Sequence, residues 1–436
     1  MLIWNLLIWF DYMYFYSRAS YVKYKGYSRG GENMVLENKN SFYLNGALFL
    51  STMGSTATTL GFITYIFNTT HSAFNTGAIT IATLLVGMVL GPFLGILVKE
   101  KGLMWSMVVP EILSGMILSI FILIDNIYLV YIIAFLIGFN NKILGIARLS
   151  FVPNITNDLV KFNALLRAIN RCAMISGSLL FSIIINYSLT MVFVIDAITY
   201  ILSAYLLYRL NKSVVVPIIV EVQKTVKERI YDKAKLLVKG YKLLFLNKKI
   251  NFIVYLGILT RLFYICIPIM LLIFIKDTLH LSDSEYGYTQ TISRFASFMV
   301  FGLLAKYLAI NLTKSFKPLL FSLFALYGIS IWGIGYVTSI ENLYIVYSLS
   351  EVLLFTAVVL VHAYIQSVFS QDELTLVSGS VSTGFSIGSI LSITIFTNLA
   401  NIIPIHDIFY ICGLGIVVST VFIMSINKFS CQNQCT

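Results

Sequence analysis

Six charged residues, Glu111, Lys142, Asp196, Arg261, Arg294 and Glu351, stand inside long apolar runs of this sequence. Holding such a charge at the middle of a bilayer costs about 2.5–3.5 kcal/mol on insertion scales, so residues of this kind pair with one another or line a wet cavity. A carboxylate in that setting can take up and give back a proton as its surroundings change. An arginine beside it can hold it in an ion pair. Ordinary enzymatic chemistry finds no such footing. The four histidines, His71, His280, His362 and His406, fall in separate segments, with no His-Glu-x-x-His or Cys-x-x-Cys spacing, no Gly-x-Ser-x-Gly and no phosphate-binding glycine loop. The lack of a Walker A sequence excludes ATP hydrolysis by this chain as an energy source. No cofactor and no metal are expected. The terminal "CQNQC" has no histidine near it, and Cys172, Cys266, Cys412, Cys431 and Cys435 form no disulfide framework.

The elements that must position these charges are membrane helices. The chain of 436 residues is 58% hydrophobic, only 11% charged, and has a mean hydropathy of +0.87, far from the roughly 25% charged residues of soluble domains. Apolar runs, separated by charged or Asn/Pro/Gly-rich corners, predict twelve spans: roughly 43–67, 75–98, 103–124, 127–149, 164–186, 189–209, 252–275, 285–308, 317–338, 342–366, 376–399 and 405–427. The fold class is therefore an all-α membrane protein with twelve transmembrane helices in two six-helix bundles. The expected organisation is a cytoplasmic N-terminal segment at 1–40, a first bundle at 41–210, a basic cytoplasmic linker at 211–250, a second bundle at 251–428 and a cytoplasmic tail at 429–436. Gly30-Gly31-Glu32-Asn33-Met34 back-translates to a ribosome-binding sequence ahead of a start codon, so residues 1–33 are expected to lie outside the translated product, with a basic leader as the alternative.

Basic residues set the orientation. With both termini cytoplasmic, Lys276 is the basic residue of the outer loops, and the loop from Asn211 to Lys249 alone holds ten Lys and Arg. That loop reads as an amphipathic helix lying on the inner leaflet. The net charge of +11 thus belongs to membrane orientation and lipid contact, and nucleic acid is not an expected partner. The two halves also echo each other. "GILVK" (Gly95–Lys99) and "GLLAK" (Gly302–Lys306) end the second helix of each half, as a parallel repeat requires.

Four stretches carry a family resemblance. "GILVKEKG" keeps Gly95 and Gly102 of a loop between helices 2 and 3, with Lys99 and Glu100 in place of its acid–arginine pair. "ARLSFVPNITNDLVKFNALL" matches at Arg148, Pro153, Asn163 and Ala164. "FVIDAITYILSAYLL" matches at Asp196, Ala197 and Tyr200, and "SEYGYTQTI" at Tyr286 and Gly287. Together they resemble the major facilitator superfamily, and within it the macrolide-efflux and enterobactin-exporter branch. The antiporter signature of helix 5 is represented only by Gly177-Ser178.

The resemblance implies a secondary transporter working by alternating access: a proton-coupled antiporter in the bacterial cell (plasma) membrane. It would export an amphipathic antibiotic, siderophore-like metabolite or peptide and so confer drug resistance. Alternatives are an uptake permease for a small solute and a non-transporting sensor or scaffold. Expected partners are a small-molecule substrate, a coupling proton and lipids, with the chain acting as a monomer. Since helices 1, 4, 7 and 10 line the path in that family, Arg261 and Glu351 become pathway residues, Glu351 first for coupling. Arg294 borders the path. Glu111 and Asp196, also pathway candidates, sit on peripheral helices and read better as structural contacts. In helix 1, Ser51, Thr52, Ser55, Thr56, Thr58 and Thr59 serve helix packing or a polar wall. The cytoplasmic gate is expected at Gly95, Lys99, Glu100 and Gly102. There Lys99 would face Asp372 and Glu373, and its repeat-mate Lys306 would face Asp158, with signs exchanged relative to the family.

Overall fold

The computed structural model describes residues 32–210 and 251–432, apart from short stretches at 91–93, 95–96, 99, 124–125, 157–158 and 369–370. Side chains are not described at 32–38, 154, 159–161, 163–164, 304–315, 362–363, 366–367, 371–383 and 427–432. The described residues form helices and no strand: α1 (Glu32–Thr70), α2 (Ala73–Leu90), α3 (Leu103–Leu123), α4 (Ile127–Phe151), α5 (Leu159–Ile184), α6 (Leu189–Tyr208) and α7 (Asn251–Thr278). After these come the continuous helix Asp283–Ile334, α10 (Ile340–Val368), α11 (Gln371–Leu399) and α12 (Ile405–Gln432). The chain enters the molecule at the near end, where α1 starts; α1 finishes at the far end.

Asp283–Ile334 is 52 residues of helical backbone, more than twice what crosses a bilayer. Its two parts nevertheless run in opposite directions. Gln290 meets Tyr347 and Phe301 meets Phe355, in step with α10, whereas Phe316 stacks on Tyr364 and Gly333 faces Val346, in the reverse order. The chain therefore reverses between Phe301 and Phe316, giving α8 (residues 283–303) and α9 (Phe316–Ile334) and twelve helices among the described residues. The two spans expected at 285–308 and 317–338 are thus present as separate, oppositely directed helices. Two bounds move. α1 begins at Glu32, well before residue 43, and α12 continues to Gln432.

Packing shows which ends are joined. At the near end, one apolar cluster belongs wholly to the first half (Leu44, Val86, Met107, Leu144, Phe151, Leu207) and another wholly to the second (Phe252, Phe321, Phe324, Leu360). At the far end a single cluster contains Ala57, Phe67 and Phe181 of the first half with Ile273, Tyr286 and Ile393 of the second. The seam depends on two glycines. A methyl at Gly77 of α2 would run into Ile393 and Thr397 of α11, and one at Gly287 of α8 would run into Phe181 and Ser182 of α5. Each glycine is the fifth residue of its helix. A two-fold that exchanges αn with αn+6 turns the first contact into the second, as expected of a parallel repeat. His71 and His280 complete the correspondence, ending α1 and α7 with positive φ angles of 48° and 53°.

Close helix approach in lipid depends on such small residues. Gly287→Val should therefore push α5 from α8 and destabilise the protein by about 1–3 kcal/mol, the usual cost of overpacking. Thermal unfolding in detergent measures this, and an unchanged midpoint would mean that the seam is loose.

Candidate functional site

The charges gather in two places, and one of them bridges the halves. On α5, Arg171 lies 12 residues from the helix start, about 18 Å along its axis. Its guanidinium donates to a Glu351 carboxylate oxygen on α10 at 3.2 Å and also bonds Ser297 of α8. The Arg171 and Glu351 side chains are 11% and 22% exposed, enough to leave the pair open to a cavity rather than sealed in protein. Phe355, one turn along α10 from Glu351, lies under the guanidinium with its centroid 4.5 Å from Cζ. Arg294 of α8 donates to the Met174 carbonyl of α5 at 3.4 Å and lies within electrostatic reach of Glu351 and Arg171.

Arg261 reaches the same region from α7. Pro268 lacks the N–H that would bond the Tyr264 carbonyl, and the helix breaks between Tyr264 and Ile267. That break turns the segment carrying Arg261 and Tyr264 against α11. Arg261 donates to Ser389 at 3.3 Å and lies over Phe385 at 4.6 Å. Arg261 and Glu351 both act electrostatically on Tyr264.

The second cluster lies within the first half. Glu111 and Asp196 are 1% and 0% exposed. Glu111, just after the helix-bending Pro110 of α3, is within electrostatic reach of Arg148 on α4. Asp196 accepts from Thr199 at 3.0 Å, and α1 can approach the pair only because Gly54 carries no side chain: a methyl there would collide with both. Asp196, Thr199 and Gly54 bring α6 and α1 together, and the electrostatic reach between Glu111 and Arg148 runs from α3 to α4. Lys142 is exposed on α4, its chain passing close to Gly87. In α1, Thr52 bonds Asn170 of α5 at 3.3 Å, whereas Ser55, Thr56 and Thr59 bond carbonyls of their own helix.

Arg171 was missed by the sequence reading. It falls inside the span expected at 164–186, and the helix start at Leu159 places it 12 residues in, at mid-depth. The i, i+4 spacing of Arg167 and Arg171 was the available signal, since it stacks both on one face of an extended helix. The expected gate falls largely outside the description. Gly95, Lys99 and Asp158 are not described, nor are the side chains of Lys306, Asp372 and Glu373. Glu100 is exposed, and Gly102 has a φ of +86°, a conformation that explains the glycine.

A network also closes the far end. Lys276 of α7 bonds Asn68 of α1 at 2.5 Å and Asp283 of α8 at 2.7 Å, and Asn68 bonds Asp283 at 2.8 Å.

Residues 44–392 match the sequence profile of the Major Facilitator Superfamily. No curated protein matches significantly. Among solved structures, an aspartate-to-alanine point mutant of the nucleoside transporter NupG superposes with a TM-score of 0.69 at 14% identity, covering 88% of this chain and 99% of that one. Unmutated NupG gives 0.67 at 14% identity, over 88% and 98%. At that identity the likeness is one of fold.

A double-mutant cycle tests the central pair. Arg171→Gln and Glu351→Gln should each destabilise, and together by less than their sum, with a coupling of about 1 kcal/mol for a pair partly open to water. Unfolding in mixed detergent measures it, and additivity would mean that the two charges do not interact.

Proposed function

The chain belongs to the Major Facilitator Superfamily, and on that premise we propose that it is a secondary active transporter moving an amphipathic small molecule between its two halves. The observation that carries the reading is the Arg171–Glu351 pair, which joins α5 to α10 at mid-depth where the halves face each other. A charge pair there costs the fold desolvation. It earns its place when substrate or proton replaces one partner on each cycle.

The near end is taken as cytoplasmic, as the distribution of Lys and Arg favours, so both termini face inward. The molecule is then drawn with its outer side shut by the far-end seam and the Asn68–Lys276–Asp283 network. Opening outward separates these and closes the cytoplasmic gate, to which Lys99 with Asp372 and Glu373, and Lys306 with Asp158, are assigned. Glu351 is the proton carrier, with Arg171, Arg261 and Arg294 around it. Export, with antiport of protons, is the direction the resemblance to macrolide-efflux and enterobactin exporters supports. Uptake of a small polar solute is the second reading, favoured by the charged centre and the fold-level likeness to a nucleoside transporter.

Two experiments test the reading in vesicles. Glu351→Gln should cut gradient-driven flux by about tenfold or more, the scale of one charge-assisted contact, while downhill exchange persists. Unchanged accumulation would make Glu351 structural. Asn68→Cys with Lys276→Cys should cross-link under mild oxidation and arrest transport until reduced. Full transport by the cross-linked protein would rule out alternation at that end.

A further inference from the structure

Three arginines surround the centre, and one carboxylate answers them. Arg171, Arg294 and Arg261 come from α5, α8 and α7; Glu351 of α10 pairs with Arg171, lies within electrostatic reach of Arg294 and, like Arg261, acts on Tyr264. Arg294 and Arg261 make their hydrogen bonds to neutral oxygens, the Met174 carbonyl and the Ser389 hydroxyl. The acids of the first half are engaged elsewhere, Glu111 towards Arg148 and Asp196 with Thr199. Among the described residues the centre thus holds more cationic than anionic charge in a region where each charge is costly. Arg171 keeps its buried Nε without a hydrogen-bond partner.

The arginines are also arranged for recognition rather than mutual neutralisation. Phe355 lies against the face of Arg171 and Phe385 against that of Arg261. A guanidinium stacked on a ring keeps its edge for planar oxyanions, which it bonds in pairs. Phe301, edge-on to Phe355, with Tyr264 and Met174, adds apolar wall.

We propose that the transported molecule is an amphipathic organic anion, an apolar or aromatic body bearing a carboxylate or phosphate that binds Arg171 and Arg294 in place of Glu351. The inference rests on the transporter reading for the location of the substrate; the excess of positive charge stands without it. An anion that takes Arg171 removes the ion pair of Glu351, which stays near Tyr264 of α7, Tyr327 of α9 and Tyr347 of its own helix.

The test uses the full chain purified in detergent and in vesicles, with carboxyfluorescein as anionic probe, rhodamine 6G as cationic probe and uridine as neutral probe. Carboxyfluorescein should bind saturably. Arg294→Gln, which leaves the Arg171–Glu351 pair intact, should weaken that binding about tenfold, as loss of a charge-assisted contact does. Arg171→Gln combined with Glu351→Gln, which leaves no unpaired acid, should weaken it as much, whereas Arg171→Lys should retain more than Arg171→Gln. Binding of rhodamine 6G or uridine without carboxyfluorescein overturns the anion proposal and leaves the transporter reading standing. So does carboxyfluorescein binding indifferent to these substitutions, which would belong to the basic surface. Saturable binding of none of the probes also overturns it. Specific anion binding with no flux of any probe instead sinks the transporter reading and keeps the site.

Discussion

A charge in lipid must be answered by another charge or by water, and the architecture of this protein follows from that demand. The central ion pair belongs to neither bundle alone. Arg171 belongs to the first half and Glu351 to the second, so the fold that satisfies them brings the halves together at mid-depth. The remaining acids, Glu111 and Asp196, are answered inside the first bundle by Arg148 and Thr199. That division separates charges that build a bundle from charges that span the gap.

The far end obeys a different rule. Lipid offers no hydrophobic drive for helices to associate, so contact depends on close fit. Gly77 and Gly287 provide it at repeat-related positions, and Gly54 does the same for α1 against α6. The shared far-end cluster and the separate near-end clusters accord with such a placement of small residues: among the described residues, the apolar clusters join the bundles at the far end and stay within each bundle at the near end.

Much of this could be read from the chain. Apolar runs of spanning length, the parallel repeat and the polar pairing of Glu111 and Asp196 rest on local composition, which a membrane makes unusually informative because its thickness fixes helix length. What escaped depended on how helices meet. Arg171 lies inside an expected span, but nothing in the sequence alone sets it opposite Glu351 of the other half. Gly77 carried no motif; its partner Ile393 is 316 residues away, and only the folded chain shows that contact. The gate at Lys99 and Asp372 was argued from corner chemistry alone, and those side chains lie outside the description.

The energies then fix what kind of latch the protein can have. Moving a two-state protein from 1:99 to 99:1 takes about 5.5 kcal/mol of differential binding, most of what a small ligand can spare. The Asn68–Lys276–Asp283 network joins an exposed Asn68 to Lys276 and Asp283, each about a fifth exposed, so each contact is worth about 0.2–1 kcal/mol. Three such contacts bias the far end shut without exceeding what a bound molecule can overcome. The central pair must be similarly modest, or the anion proposed here could not displace Glu351 from Arg171. Its partial exposure provides for that. Water reaching the pair lowers the cost of parting it, as the proposed exchange requires, whereas the acids of the first half are fully buried and have no such access.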